Sequence, residues 1–163
     1  MSRRSKAPLQ SNEAGKPKVG TILVPVDGSE YAKNATQVAV KLASDYGAGL
    51  LVVSVVAPPA YFISGQVGAP ADLSEYYRLE TGDATSAVEA TVAVAKEQGI
   101  AARSQVLRPD KGVVEAIVEY ASSEKVDLIV IGTRGLGGFK KMLLGSVSGG
   151  VIAHADCPVL VVR

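Results

Sequence analysis

The chain contains 163 residues, of which 47% are hydrophobic and 20% charged, and its formal net charge is +1. This length suits one domain with a buried core that needs no disulfide or metal to hold it together. A single Cys excludes an internal disulfide and a multi-cysteine zinc site, and a single His excludes paired-histidine metal motifs. An aromatic content of 5% argues against binding single-stranded nucleic acid by base stacking.

The charges are unevenly distributed. Residues 1–18 carry five basic residues against one acidic residue, so the remainder is mildly acidic. This composition predicts a disordered basic tail at 1–18 and one domain at 19–163. The domain shows no concentrated basic face, which argues against nucleic acid as a partner. No apolar run approaches the roughly 18 residues of a membrane span, and no apolar segment follows Arg3 and Arg4 as an export signal requires, so we expect a cytoplasmic protein without membrane association.

Apolar, β-branched runs alternate with amphipathic segments along the chain. Ser29 or Asp27 is positioned to cap the first helix, and Gly47 and Gly99 end helical patterns. The predicted strands cover 20–26, 50–56, 100–107, 127–131 and 158–163, and the predicted helices cover 29–46, 72–98 with a possible break near Gly82, 109–124 and a segment after Ser146.

This strict alternation predicts the fold class. Near-continuous Val, Ile and Leu strands joined by amphipathic helices indicate a parallel sheet that is covered on both faces. Right-handed crossovers then produce a doubly wound sandwich. The predicted fold is therefore α/β, with a doubly wound five-stranded parallel sheet and helices on both faces.

Two strand ends carry unusual residues where such sheets bind ligands, beyond the carboxyl ends of the strands. The first strand ends in Pro25–Gly28, and the fourth ends in Ile131–Gly135. The latter opens a glycine cluster with the spacing Gly132-x2-Gly135-x9-Gly145-Ser146.

The glycine cluster predicts a phosphate cradle. Glycines allow the backbone to approach a ligand closely. The helix that Ser146 opens adds unpaired N–H groups and a positive dipole end, which favour an anion. The hydroxyls of Ser146 and Ser148 are additional donors. An ordinary flexible loop is the alternative interpretation.

Other phosphate motifs are absent from the sequence. No Gly-Lys-Ser/Thr of a P-loop occurs, and a dinucleotide fingerprint starting at Gly135 would require Gly where Lys140 stands. The chemistry of switch-type nucleoside triphosphatases is therefore not expected.

The glycine cluster also carries a family resemblance. The segments Val24–Ser29, Gly132–Ser148 and Ala155–Val162 together resemble the universal stress protein family, in order and spacing, over residues 19–163. The spacing Gly-x2-Gly-x9-Gly-Ser/Thr is that of the family's ATP-binding branch. The resemblance implies strand order 3-2-1-4-5, a bound adenine nucleotide and a homodimer.

The resemblance also implies a set of site residues. Pro25, Val26 and Asp27 would line the adenine and ribose side, and Val55 would offer backbone groups to adenine. Mg²⁺ or Mn²⁺ would be held mainly by the phosphates. The ribose and phosphates would be held by Ile131, Gly132, Thr133, Arg134, Gly135, Gly145, Ser146, Val147 and Ser148.

The resemblance also concerns assembly. The apolar terminal strand 158–163 would lie at a sheet edge, and an exposed edge of this kind invites pairing with another chain. Antiparallel pairing with a second copy across a two-fold axis would cover it, as in the family.

Three further features are open to two interpretations. Cys157 and His154 suggest a nucleophile pair, but packing at a strand entrance and a surface position late in a helix explain them better. Lys140 and Lys141 either neutralise phosphate or are simply solvated. The loop 60–70 either closes over the nucleotide or is disordered.

The favoured functional hypothesis is an ATP-binding regulatory protein of the stress response, without rapid turnover, because no general base or P-loop lysine is placed near the phosphates. Three alternatives stay open. They are a slow ATP hydrolase that uses Asp27 or a metal-bound water, a binder of AMP or cyclic AMP that senses energy state, and a dimeric scaffold that needs no nucleotide. A protein partner is possible.

Overall fold

Five strands and four helices alternate in a computed structural model that describes residues 19–59, 73–136 and 143–163. The predicted tail at 1–18 lies outside these ranges, so its disorder stays a prediction. The elements are β1 (Thr21–Pro25), α1 (Glu30–Tyr46), β2 (Gly49–Val55), α2 (Leu73–Glu97), β3 (Ala102–Leu107), α3 (Val113–Ser123), β4 (Leu128–Gly132), α4 (Ser146–His154) and β5 (Val159–Val162).

The strands form one parallel sheet in the order β3-β2-β1-β4-β5. This confirms the predicted fold class and the strand order that the resemblance implies. Within the described ranges, no helix is both long and apolar enough to cross a bilayer.

Both faces of the sheet are covered, and neighbouring strand residues therefore point into two separate hydrophobic layers. Ile22 and Val24 of β1 pack in the layer formed with α1 and α2, whereas Leu23 packs in the layer formed with α3 and α4. All three are fully buried. This two-sided burial is the reason why the strands are continuously apolar in sequence instead of alternating with polar residues.

Helix α1 begins and ends at the predicted residues. The Ser29 side chain accepts a hydrogen bond from the N–H of Ala32 at 3.2 Å, which confirms it as the N-cap. Gly47 ends the helix in the left-handed conformation, at φ 66°. The face between these caps packs on the sheet through fully buried small side chains, namely Ala35, Ala39 and Ala43.

Two helices depart from their predicted bounds. Helix α2 runs unbroken through Gly82, so the break suggested there is wrong. Burial of Ala84, and packing of Val88 in the layer on the sheet, outweigh the low helix propensity of one glycine. Helix α3 begins at Val113 instead of near Pro109, because the apolar stripe that packs on the sheet begins there.

Candidate functional site

A cavity of about 510 Å³ opens at the carboxyl ends of β1 and β4. The direction of the strand order reverses between these strands, since β2 and β3 lie on one side of β1 while β4 and β5 lie on the other. Doubly wound sheets bind ligands at this point. The volume falls within the range of roughly 300–1,000 Å³ that small-molecule sites occupy. The walls come from β1, β2 and β4, from the residues that follow β1 and β4, and from α1, α3 and α4.

The first two glycines of the motif allow chain segments to meet beside the cavity. A Cβ atom at Gly132 would lie 2.8 Å from the backbone carbon and oxygen of Tyr31 in α1. A Cβ atom at Gly135 would collide with Oδ2 of Asp27. Gly132 is thus required by the close approach of the end of β4 to the backbone of α1, whereas a side chain at Gly135 would displace the Asp27 carboxylate.

The third motif glycine, Gly145, is the N-cap of α4. Its N–H donates to the carbonyl oxygen of Thr133 at 2.7 Å, which fixes where the helix begins. Glycine offers no side chain to cap the first turn, and the first N–H groups of a helix have no intrahelical acceptor. Ser146 and Val147 of that turn line the cavity. The unpaired N–H groups and the positive end of the helix dipole both favour an anion here.

The hydroxyl of Ser148 holds the described part of the glycine loop (Gly132–Leu136 and Gly145) in place. Its Oγ lies 2.9 Å from the carbonyl oxygen of Thr133 and 3.1 Å from that of Gly145. Because a hydroxyl has one proton, the donor that we expected for phosphate points at the main chain in this structure. Thr133 is also buried, and its N–H donates to the carbonyl of Val162 at 2.8 Å. Thr133 therefore helps to hold the loop in place, but it does not line the cavity.

Asp27 joins the loop after β1 to the glycine loop. Its Oδ1 accepts a hydrogen bond from the N–H of Ser29 at 3.0 Å, and its Oδ2 accepts one from the N–H of Leu136 at 2.9 Å. Among the described residues that line the cavity, Asp27 is the only carboxylate. The same described ranges contain no group of three or more metal-ligating side chains.

Arg134 lies over α1 at the edge of the cavity. Its Nη1 donates to the hydroxyl of Tyr31 at 3.2 Å, and its guanidinium carbon lies 5.7 Å from the centre of that ring. A cation stacked on an aromatic face at this distance is attracted electrostatically. The Nε atom of Arg134 is buried without a hydrogen-bond partner. Arg134 itself lines the cavity, but this Nε atom is enclosed.

The cavity brings together nearly all the site residues that the sequence predicts. Thr133 alone of these residues lies outside the lining. The predicted residues in the lining are Pro25, Val26, Asp27, Val55, Ile131, Gly132, Arg134, Gly135, Gly145, Ser146, Val147 and Ser148.

The sequence did not predict some of the residues that line the cavity. Val113 and Ile117 of α3 line the cavity, as do Val53 and Ser54 of β2. The α3 residues belong to a helical stripe and the β2 residues to a buried strand, so the local pattern marks them only as core. Ser54 carried one available signal, because it is a polar residue within an apolar strand run.

The other candidate features do not join this site. Cys157 packs against the layer formed with α3 and α4, and burial raises the pKa of its thiol, with nearby Asp127 and Asp156 acting in the same direction. A raised pKa disfavours the nucleophilic thiolate. His154 is exposed and its Nδ1 lies 2.8 Å from the carbonyl oxygen of Gly150. Lys140, Lys141 and the loop 60–70 lie outside the described residues.

The fold and the cavity define a doubly wound α/β protein with a ligand-sized cavity and an uncapped helix at its switch point. The family model of the universal stress protein family matches residues 18–163. The chain therefore belongs to the universal stress protein family.

Individual relatives agree with this assignment. A universal stress protein from Thermus aquaticus is 41% identical over 145 residues, which cover 88% of this chain and 98% of the relative. The solved structure of the universal stress protein UspA from Lactobacillus plantarum matches with a TM-score of 0.76 and 27% identity, covering 91% of this chain and all of that one. A universal stress protein solved in complex with cAMP matches with a TM-score of 0.66 and 26% identity, covering 90% and 98%.

Proposed function

We propose that this protein binds an adenine nucleotide, with ATP as the preferred ligand, and acts as a nucleotide-dependent regulatory module of the stress response. One observation carries the proposal. The uncapped amino end of α4 and the glycine loop face a single cavity of about 510 Å³. Unpaired N–H groups at a helix start favour a phosphate, and the apolar remainder of the cavity suits a base.

The proposed pose follows the chemistry of the walls. The phosphates lie at the first turn of α4, against Ser146 and Val147, with Arg134 also in the cavity lining. The ribose lies at Asp27, whose oxygens each hold one backbone N–H and keep further lone pairs for hydroxyl groups. The base lies between β2 and the apolar side chains of α3.

We propose that Mg²⁺ or Mn²⁺ accompanies the nucleotide and is held mainly by its phosphates. The described part of the chain offers a single carboxylate at the cavity, Asp27, and both of its oxygens already accept backbone hydrogen bonds. This donor set fits a cation that takes most of its ligands from phosphate oxygens and water. The cation would neutralise phosphate charge.

Binding without rapid turnover is the favoured mode. A general base must lie within hydrogen-bond reach of the proton that it removes, and the Asp27 carboxylate instead ties two loops together. A cyclic or single-phosphate nucleotide is the second candidate ligand, because a family member 26% identical to this chain was solved in complex with cAMP. A titration series with ATP, ADP, AMP and cAMP ranks the ligands.

We also propose a homodimer that forms through β5. This strand is one of the two edges of the sheet, and Leu160 at its centre is 39% exposed. An apolar edge strand with unpaired backbone groups favours pairing with a second copy.

The phosphate position is tested at the first residue of α4. Pro is tolerated at this position of a helix, and the extended backbone of Gly145 before it (φ −75°, ψ 162°) suits a following Pro. Ser146→Pro therefore removes one N–H together with the hydroxyl, whereas the matched control Ser146→Ala removes the hydroxyl alone. By calorimetry, we expect Ser146→Pro to bind ATP at least about tenfold more weakly than Ser146→Ala, because a hydrogen bond to a charged group contributes about 1.5–3 kcal/mol.

Two results would contradict the proposal. No heat of binding from ATP or the other adenine nucleotides to the wild-type protein would exclude nucleotide binding itself. Equal ATP affinity of the Ser146→Pro and Ser146→Ala variants would exclude the phosphate position at α4.

A further inference from the structure

Gly150 is a glycine in the interior of a helix, and its backbone conformation does not require a glycine. It lies in the middle of the nine-residue helix α4, and its φ is not positive. Alanine has the higher helix propensity at such a position. The absence of a side chain at Gly150 therefore calls for an explanation from packing, where glycine allows another group to approach closely.

The group that approaches Gly150 is the side chain of Val114 in α3. A Cβ atom at Gly150 would lie 2.6 Å from Cγ2 of Val114 and 3.0 Å from its Cγ1. Carbon atoms in ordinary contact are about 3.5–4.0 Å apart. A valine in a helix has one strongly preferred rotamer, so these methyl groups cannot easily turn away. A side chain at position 150 would therefore push α3 and α4 apart.

The two helices in contact both border the cavity. Val113, which precedes Val114, and Ile117 line the cavity from α3, and Val147 lines it from α4, three residues before Gly150. Gly150 and Val114 do not line it themselves. The contact therefore lies outside the cavity and sets the spacing between two helices that form its walls.

A nucleotide in the proposed pose contacts both helices at once. Its phosphates lie at the first turn of α4, and its base lies against the apolar side chains of α3. The groups of a binding site must be held to within about 0.5 Å of their productive positions. The Cβ atom of an alanine at position 150 would be roughly 0.9 Å too close to Val114, so relieving this overlap would exceed that tolerance.

We infer that Gly150 and Val114 are positioning residues that set the spacing of α3 and α4 for an intact nucleotide. This inference rests on the proposed nucleotide function. Neither residue contacts the ligand, but together they determine whether one molecule can occupy the phosphate side and the base side of the cavity. A wider spacing leaves each wall intact, so it weakens a ligand that spans both walls more than a ligand that contacts one.

The experiment compares a ligand that spans both helices with one that does not. ATP reaches both, whereas adenosine lacks the phosphates that contact α4. ATP is titrated by calorimetry and adenosine by NMR into the wild-type protein, Gly150→Ala, Val114→Ala and the double variant. The matched control is Gly149→Ala, which makes the same replacement one position earlier in α4. A Cβ atom at Gly149 would lie 3.5 Å from the side chain of Leu144, an ordinary contact distance.

We expect Gly150→Ala to bind ATP about tenfold more weakly than wild type, the effect of one misaligned hydrogen bond to a charged group, with the adenosine affinity unchanged. Val114→Ala removes the contact from the other side and should weaken ATP binding about threefold. The double variant should return to within about twofold of wild type, because the truncated side chain makes room for the added methyl group. Gly149→Ala should match wild type for both ligands.

Three results would overturn the inference while leaving nucleotide binding intact. They are an unchanged ATP affinity of Gly150→Ala, a loss by the same factor for ATP and adenosine, and a double variant that binds ATP no better than Gly150→Ala. If Gly150→Ala does not fold, a double variant that binds ATP no better than Val114→Ala overturns it. Failure of the wild-type protein to bind ATP would instead overturn the proposed function.

Discussion

Asp27 connects two loops through hydrogen bonds, and it is also a predicted ligand contact. One carboxylate oxygen holds the start of α1 through Ser29, and the other holds the glycine loop through Leu136. The second bond spans 109 positions of the sequence. The mouth of the cavity is therefore shaped by a side chain that the sequence suggested as a helix cap and that the family resemblance placed on the adenine and ribose side.

Replacing Asp27 by Asn should destabilise the nucleotide-free protein by about 1–2 kcal/mol, because the amide nitrogen cannot accept the second backbone N–H. The free energy of unfolding in urea measures this effect. Asp45→Asn is the control, since Asp45 forms an exposed ion pair with Lys41 and such pairs contribute about 0–1 kcal/mol. A loss at Asp27 no larger than the loss at Asp45 would show that the tie does not stabilise the fold.

At the scale of elements, helix α2 shows that packing can keep a helix continuous through a glycine. Gly82 lies inside the helix, and a Cβ atom added there would meet nothing within 4 Å. Gly99 follows the same helix but has φ +71°, a conformation that other residues adopt at a cost. The same substitution should therefore have opposite effects at the two positions.

We expect Gly82→Ala to raise the free energy of unfolding by about 0.5–1 kcal/mol, because alanine has the higher helix propensity. Gly99→Ala should lower it, because alanine is strained at positive φ. Urea denaturation of both variants measures the two shifts. If Gly82→Ala destabilised the protein, the continuity of α2 at this residue would be contradicted.

At the scale of the whole molecule, the sheet has two different edges. On β3, Arg103, Ser104 and Gln105 are exposed and polar, whereas β5 is entirely apolar, with Leu160 exposed at its centre. Charged residues on an edge discourage pairing with other chains. The contrast supports β5 as the edge that meets a second copy.

Leu160→Lys should convert the proposed dimer into a monomer, because a two-fold axis at β5 brings like charges together across the interface. Sedimentation velocity or light scattering should give twice 16.8 kDa for wild type and 16.8 kDa for the variant. Leu79→Lys, at a 53% exposed position on α2, should stay dimeric. A monomeric wild type, or a dimeric Leu160→Lys, would argue against the β5 interface.

Much of the fold was predictable from local patterns. Apolar runs and helical stripes depend on residues close in sequence, so they identified the nine elements of the described ranges and the two unusual strand ends. Boundaries were less predictable: the start of α3 depends on which residues reach the sheet, and the continuity of α2 through Gly82 depends on burial of its neighbours.

The sequence by itself determined the layered α/β fold and the glycine motif at the end of β4, because both depend on the periodicity and spacing of residues close together in the chain. Only the tertiary structure determined the full set of residues that line the cavity. It turned the Ser148 hydroxyl toward the main chain and placed Ser54 of β2 and Val113 of α3 among the residues that line one cavity. These placements depend on strand order and on contacts between segments far apart in the chain, which no local pattern encodes.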